Sequence, residues 1–279
     1  MIVMKVETTT DAAEFRSRTD AFLGRDPLRH TVITTGIANT LGDFDSGDEP
    51  THFLSVHDGD AVVGVAMRGG GRDMYLGELA GGSVGLVAEA LAELIPDAGG
   101  VEGAIDDVLG FGERWCALRG GGFHPTYATR LYRLGTLRTP DAAGSPRRAA
   151  GSDVELCARW SDAMRAESGM RPQGWTREVV AKRVAAGRWW LWERDGRPVC
   201  VAAHHVPALG WARIGPVYTP PAERGHGYAS MLTAHVARTL RADGIDACLF
   251  AETANPTSNK IYRAIGFEAV REFVHYEFG

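Results

Sequence analysis

The feature that most limits what this chain can become is the run VYTPPAERGHGYA at positions 217–229. Two prolines are followed by two glycines one residue apart, and then by a small residue. Upstream, residues 211–219 are rich in aromatic and β-branched side chains, which suit a strand. Downstream, Ala229, Leu232, Val236 and Leu240 recur near one helical face. Gly244 stands where a helix C-terminus would be capped. The glycines therefore fall on a strand-to-helix junction. The first N–H groups of a helix have no intrahelical partner and carry partial positive charge. Glycine at such a place lets an anionic ligand come close to the backbone. Alone, the pattern Arg224-x-x-Gly227-x-Ala229 is weak, since short glycine patterns arise by chance. Its setting strengthens it.

The next strand-like run leads into NPTSNKIYRAIGF, residues 255–267. Asn255 is placed to cap a short helix, Pro256 suits its first position, and Gly266 suits its stop. Asn255, Ser258 and Tyr262 are spaced by three and four, so they project from one face. This polar stripe follows the strand next to the glycine turn and is expected to point into the same cleft.

The chain has 279 residues, enough for one large or two ordinary domains. TLRTPDAAGSPRRAAGSD, residues 136–153, has no apolar period and reads as a linker or an extended crossing segment. The halves it separates echo each other. SVHDGDAVVGVA (55–66) and WERDGRPVCVAA (192–203) both place Asp-Gly between strand-like runs, a hairpin signal. Gly122-Phe123 precedes Tyr132 by the spacing at which Gly266-Phe267 precedes Tyr276. We read a structural duplication. Strands interleave with helices in the second half, which argues for a mixed sheet with helical cover.

The net charge of −5 and the absence of a long basic run argue against a nucleic-acid duplex or an anionic membrane as main partner. Four cysteines, at 116, 157, 200 and 248, have no metal-ligand spacing and fit reduced thiols in a cytoplasmic protein. The start, MIVMKVETTTDAAEFRSRTD, lacks the pattern of a signal peptide, and no apolar run approaches the ~20 residues of a membrane span.

The block 211–279 resembles the GCN5-related N-acetyltransferase (GNAT) superfamily. The resemblance rests on PVYTPPAERGHGYAS and NPTSNKIYRAIGF, in order and each in its strand–helix setting; a weaker match reaches back to about residue 147. It implies an α/β (α+β) fold with a mixed, mostly antiparallel sheet flanked by helices. The expected division is a degenerate GNAT-like domain at 1–135, a linker at 136–150 and an acetyl-CoA-binding domain at 151–279. The first half retains neither the arginine–glycine spacing, its nearest runs being RGGGRDM and LAGGSVG, nor the capped tyrosine helix. It is expected to hold no second coenzyme site. By resemblance, Arg224, Gly225, His226, Gly227, Tyr228 and Ala229 bind the coenzyme pyrophosphate, mostly through backbone N–H groups. Val217, Tyr218 and Thr219 line the pantetheine arm, and Asn255 and Ser258 touch it. Tyr262 matches the usual general acid. Acetyl-CoA enters as cosubstrate, and no metal is expected.

The chemistry of Tyr262 is reasonable on its own, because a phenol (pKa ~10) is close enough to a thiol (~8.5) to protonate it. Gly215-Pro216 implies a bulge in the strand before the turn; it would free the Val217 N–H to polarise a thioester carbonyl. That strand, WARIGPVY, carries no carboxylate, which leaves the general base open: Glu252, His204 or His205, or water. Glu193 reads as solvated. Trp189, Trp190 and Trp192 read first as core, with an aromatic wall for an apolar amine as the sharper alternative. The function read from these residues is N-acetyl transfer to a primary amine on a small molecule or peptide, with a homodimer left open. The alternatives are a non-catalytic coenzyme A sensor or scaffold and, ranked last because the chain is acidic and the turn intact, a transferase using aminoacyl-tRNA.

Overall fold

The computed structural model describes residues 4–44, 49–70, 73–95, 98–168 and 175–279. In the first half β1 (Lys5–Thr9), α1 (Ala12–Leu23) and α2 (Thr31–Leu41) lead into β2 (His52–Asp58), β3 (Ala61–Arg68) and β4 (Met74–Leu76). Then come α3 (Val84–Leu94), β5 (Gly100–Gly103), α4 (Ile105–Arg119) and β6 (Phe123–Leu134). The second half repeats the order with β7 (Ser145–Arg148), α5 (Val154–Glu167), α6 (Arg177–Ala185), β8 (Trp189–Arg194), β9 (Arg197–His204) and β10 (Trp211–Tyr218). It closes with α7 (Tyr228–Ala242), β11 (Asp246–Glu252), α8 (Pro256–Ile265) and β12 (Phe267–Phe278).

The Asp-Gly pairs make the turns the sequence implies. Gly59 (φ 61°) joins β2 to β3, and Asp195-Gly196 (φ 49° and 71°) joins β8 to β9. Positive φ at both central residues of the second turn, and at Gly59 in the first, matches the twist of a hairpin.

Among the described residues, twelve strands form one sheet, in the order β1-β2-β3-β4-β5-β12-β6-β11-β10-β9-β8-β7. Among the described residues only β4–β5 and β10–β11 pair in parallel, so the sheet is mixed and mostly antiparallel. The centre of this order departs from two separate domains. β6, the last strand of the first half, pairs with β11, and β12 pairs with β5 of the first half. The two long strands exchange places and pair with each other along nearly their whole length. The segment 136–150 is also more than a linker. Residues 145–148 are β7 on the sheet edge, and residues 135–144 are held by α7, where Arg241 Nη2 donates to Gly135 O (2.7 Å), and by β8, where Trp192 Nε1 donates to Ala143 O (2.9 Å).

Alternation sorts the side chains into two layers. On one face α3, α4, α7 and α8 pack over Leu54, Val101, Trp190, Trp192 and Leu249. On the other, α1, α2, α5 and α6 cover Phe53, Tyr75, Trp189, Leu191, Cys248 and Phe273. Trp189, Trp190 and Trp192 are all buried, which makes them core on both faces. Phe250 and Glu252 follow Cys248 by twos on β11 and so share its face, opposite Leu249, Ala251 and α8.

Candidate active site

β10 and β11 stay paired only from Trp211↔Asp246 to Arg213↔Cys248. Beyond that point β10 continues alone on its β11 side, with a register shift against β9 between Ile214 and Val217. The irregularity falls on Gly215-Pro216, where the sequence implies it. A V-shaped gap opens between the two strands, bounded at its mouth by the starts of α7 and α8.

The glycine turn has the geometry of an anion cradle. Gly225 and Gly227 have φ of 82° and 79°, a region that β-carbons disfavour, and Gly227 is the N-cap of α7. The first backbone N–H to return to the chain is that of Met231, which donates to Gly227 O (3.0 Å). Among the described residues, the N–H groups of Gly225, His226, Gly227, Tyr228, Ala229 and Ser230 find no protein acceptor. Six consecutive donors at a helix N-terminus make a strong site for a diphosphate.

The side chains of this turn do other work. Arg224 donates from Nε to Thr219 O (2.9 Å) and pairs with Glu167 Oε2 (2.5 Å). Tyr218 donates its hydroxyl to Glu167 Oε1 (2.7 Å). Both bonds hold the Glu167 carboxyl below its ordinary range, the Tyr218 bond first. Glu167, at the end of α5, thus ties both sides of the turn together. Tyr228 is buried, with its hydroxyl bonded by Arg194 (2.8 Å), so only its backbone is available to a ligand. His226 is exposed and stacks on the Tyr228 ring (5.4 Å). Val217 and Ala229 pack against the α7 core. The Thr219 hydroxyl is buried beside the Cys200 thiol, with which it interacts.

On the opposite wall, Asn255 caps α8 by accepting from the Ser258 N–H (3.0 Å), and Gly266 (φ 107°) ends the helix. Ser258 is half-exposed. Tyr262 is half-buried, its ring between Tyr132 (6.5 Å) and Phe267 (6.1 Å). Its hydroxyl makes no hydrogen bond among the described residues. Burial, and secondarily the nearby Cys200 thiol, push the phenol up to about 12. Burial likewise pushes the Cys200 thiol up to about 12. A thiolate released beside Tyr262 would feel the same desolvation, so donor and acceptor stay matched although both leave their ordinary values.

Glu252 lies on β11 on the face opposite α8. Its carboxyl takes part in no ion pair or hydrogen bond among the described residues, and burial raises its pKa. Acid and base candidates therefore approach the gap from opposite faces. The histidines do not join them. His204 lies on the α7 face near that helix's far end, and His205 contacts Arg213 (Nη2 to Nδ1, 3.5 Å) and the edge of Trp175. Glu193 is not solvated as expected: Arg147 binds it (2.7 Å) together with Asp153, joining β7, β8 and the start of α5.

Asn259 escaped the sequence reading. It is buried, accepts from the Tyr132 hydroxyl (2.6 Å), and donates to Glu252 O (2.8 Å) and Asn255 O (2.6 Å). It fastens the first turn of α8 to the end of β11 and to β6 of the first half. The only signal in the sequence is its place one residue off the Asn255–Ser258–Tyr262 stripe, which does not reveal a buried partner. Among the described residues no group of three or more His, Cys, Asp or Glu side chains stands together as a metal site. No helix there is long and apolar enough to cross a membrane.

A sheet of two repeated halves, with a splayed parallel pair and a glycine turn at its mouth, has the architecture of the GNAT fold. The comparisons agree. Residues 196–276 match the family of FR47-like proteins. A 66-residue stretch is 35% identical to the uncharacterized protein YkzC of Bacillus subtilis (strain 168); it covers 23% of this chain and 46% of that protein, about half its length. The chain is similar over 98% of its length to a GCN5-related N-acetyltransferase from Sphaerobacter thermophilus (95% of that chain, 17% identity, TM-score 0.62). It is similar over 99% of its length to a tandem GNAT protein from the clavulanic acid biosynthesis pathway (99% of that chain, 14% identity, TM-score 0.60). The chain has the GNAT fold in its tandem arrangement.

Proposed function

We propose that this protein transfers an acetyl group from acetyl-CoA to a primary amine, using the second half's cleft alone. The observation that carries this reading is the row of six unpartnered N–H groups from Gly225 to Ser230 at the mouth of the splayed strands. Those donors hold the pyrophosphate. The splayed edge of β10 and the Thr219 hydroxyl take the pantetheine arm. Acetyl-CoA supplies the activated acyl group. Glu252 accepts the amine proton from one face, its raised pKa making it a better base than an ordinary carboxylate. Tyr262 donates a proton at the departing sulfur from the other face. The first half contributes no coenzyme site, and one coenzyme binds per chain. The test is calorimetry with acetyl-CoA. Gly227→Val adds a β-branched side chain at φ 79°, against Ala142, and so distorts the backbone of the cradle. It is expected to abolish binding, while Gly227→Asn, which tolerates this φ, keeps the turn folded. Unchanged affinity in Gly227→Val, or two coenzymes per chain, overturns the assignment.

A further inference from the structure

The wall of the cleft that carries Glu252 continues across three more strands on the same face of the sheet. Glu252 on β11 pairs with Thr129 on β6, and Thr129 with Phe273 on β12. Two residues farther along, Tyr127 pairs with His275, and His275 with Glu102 on β5. Register partners and alternate residues share a face, so Glu252, Tyr127, His275 and Glu102 stand in one row. β11 stops at Glu252, and its pairing with β6 stops at Thr129. β6 runs on past that end, so at Tyr127 no strand separates the row from the cleft. We propose that the acceptor is a linear amine carrying a second cationic group: its reacting nitrogen sits at Glu252, its distant ammonium group at Glu102, and the chain between them lies on Tyr127. The near end rests on the acetyl-transfer reading; the far end stands on the row itself.

The first reason is which groups of the row lack partners. Among the described residues the Glu252 carboxyl and the Tyr127 hydroxyl make no hydrogen bond or ion pair, and Glu102 accepts only from the Thr129 hydroxyl (3.3 Å). All three residues are half-buried, and none of their oxygens is sealed from solvent, so each keeps surface that a ligand reaches. Two arginines act on the row, Arg165 on Tyr127 and Arg213 on Glu102, and each has partners of its own. Arg213 lies over the Phe250 ring (5.9 Å) and against His205 (3.5 Å). What stays unsatisfied is a carboxyl at each end and a hydroxyl between, all acceptors for N–H donors. Burial raises the pKa of both carboxyls. An ammonium group beside each favours its ionised form and is held by it in return.

The second reason is the order along the row. Carboxyl, aromatic ring, carboxyl is the complement of ammonium, alkyl chain, ammonium, because a ring offers apolar surface to methylene groups and its face to a cation. The ring is fixed in place. It stacks on His275 at 4.5 Å, within 1° of parallel. His275 is itself pinned by Asp73 Oδ2 at Nε2 (2.9 Å) and by Thr126 Oγ1 at Nδ1 (2.5 Å).

The third is length. Strands lie ~4.8 Å apart and rise ~3.3 Å per residue, so the α-carbons of Glu252 and Glu102, three strands and two residues apart, stand roughly 16 Å from each other. The reach of the two side chains shortens this to a span that spermidine covers and putrescine does not.

The experiment follows free-thiol release from acetyl-CoA with spermidine, putrescine and butylamine at constant ionic strength. Alongside it, the full chain is titrated calorimetrically with spermidine in the presence of coenzyme A. We expect kcat/KM for spermidine to exceed that for butylamine at least about tenfold, the worth of one charge-assisted contact, with putrescine between them. Glu102→Gln keeps the size of the side chain and its bond from Thr129 but removes the charge. It should cut the spermidine preference about tenfold, through KM and not kcat, and weaken spermidine binding to match. Tyr127→Leu should reduce the preference as well, and the acetyl-CoA affinity of each variant reports that it is folded. Equal kcat/KM for spermidine and butylamine, no saturable spermidine binding, or a preference that both variants leave intact overturns the proposal. Butylamine turnover without a spermidine preference removes this proposal and leaves acetyl transfer standing. Spermidine binding that Glu102→Gln weakens, without turnover of any amine, supports the far end of the row and removes the transfer reading.

Discussion

Replacing Tyr262 with Phe tests whether the second wall of the cleft performs chemistry. The variant removes one oxygen that bonds to nothing among the described residues and keeps the ring packed against Tyr132 and Phe267. No hydrogen bond is lost on folding, so the melting temperature should move by no more than about 2 °C. Coenzyme affinity should hold, because the cradle lies at the other helix. The catalytic cost is larger. A phenol raised to about 12 is protonated in all but about one molecule in 10⁴ at pH 8, so nearly every chain carries the proton to be donated. A positioned acid is worth ~10²–10⁴ in rate, or about 3–5 kcal/mol of barrier. We expect kcat to fall at least ~10²-fold, and to fall less when the acyl donor carries a more acidic thiol, which leaves without help. The assay is release of free thiol from acetyl-CoA with an accepting amine, alongside calorimetric affinity and thermal melting. Near-normal kcat refutes the reasoning. So does a variant that melts early while its rate per folded molecule is unchanged, the pattern of a purely structural tyrosine.

Three further outcomes are expected. Glu252 works as a base only when ionised, and its pKa is raised by burial, so activity should climb on an acid limb displaced above the ordinary carboxylate range and be complete above it; Glu252→Gln should remove that limb from the pH–rate profile, and an unchanged profile excludes the residue. Asn259→Ala breaks three hydrogen bonds at about 1 kcal/mol each and removes the acceptor of the Tyr132 hydroxyl, so the melting temperature should drop by about 5 °C or more and kcat should fall with it; unaltered melting argues against the fastening role. A fragment of residues 145–279 leaves the β11 edge bare and should aggregate or fail to bind coenzyme, while co-expression with residues 1–144 should restore binding; an independently folded, coenzyme-binding fragment contradicts this.

The second half was largely legible in the sequence because its signals are local. Asn255, Pro256 and Gly266 bracket α8 at the bounds observed, since caps act through bonds three residues long. The Asp-Gly turns fixed two hairpins for the same reason. Gly215-Pro216 marked the bulge, and the glycine turn marked the cradle. Roles that depend on distant partners were not legible. Glu193 looks like a surface charge until β7, 46 residues earlier in sequence, brings Arg147 onto it. Glu167 sits 51 residues from Tyr218 and 57 from Arg224, and nothing around it signals that it clasps the turn. His204 looks like a candidate base by type, but its position in the sheet puts it at the wrong end of the helix.

The exchange of β6 and β12 was hidden for a stronger reason. The two strands occupy equivalent places in the repeat, each after a Gly-Phe and each alternating toward a tyrosine, so either fits either gap by pattern. Sequence alone does not decide which half's strand borders which sheet. The consequence reaches the chemistry. Because β6 borders β11, its Tyr132 stands beneath α8 and bonds Asn259, which in turn holds the carbonyls of Glu252 and Asn255. The first half, whose sequence lacks the arginine–glycine spacing, thereby sets where the helix bearing Tyr262 begins and how it lies on the strand bearing Glu252. A half that had lost its ligand and merely adjoined the other could be shed without touching the cleft. One that supplies the strand under the cleft's own helix cannot, and this is a physical reason for a chain to keep a degenerate repeat in full.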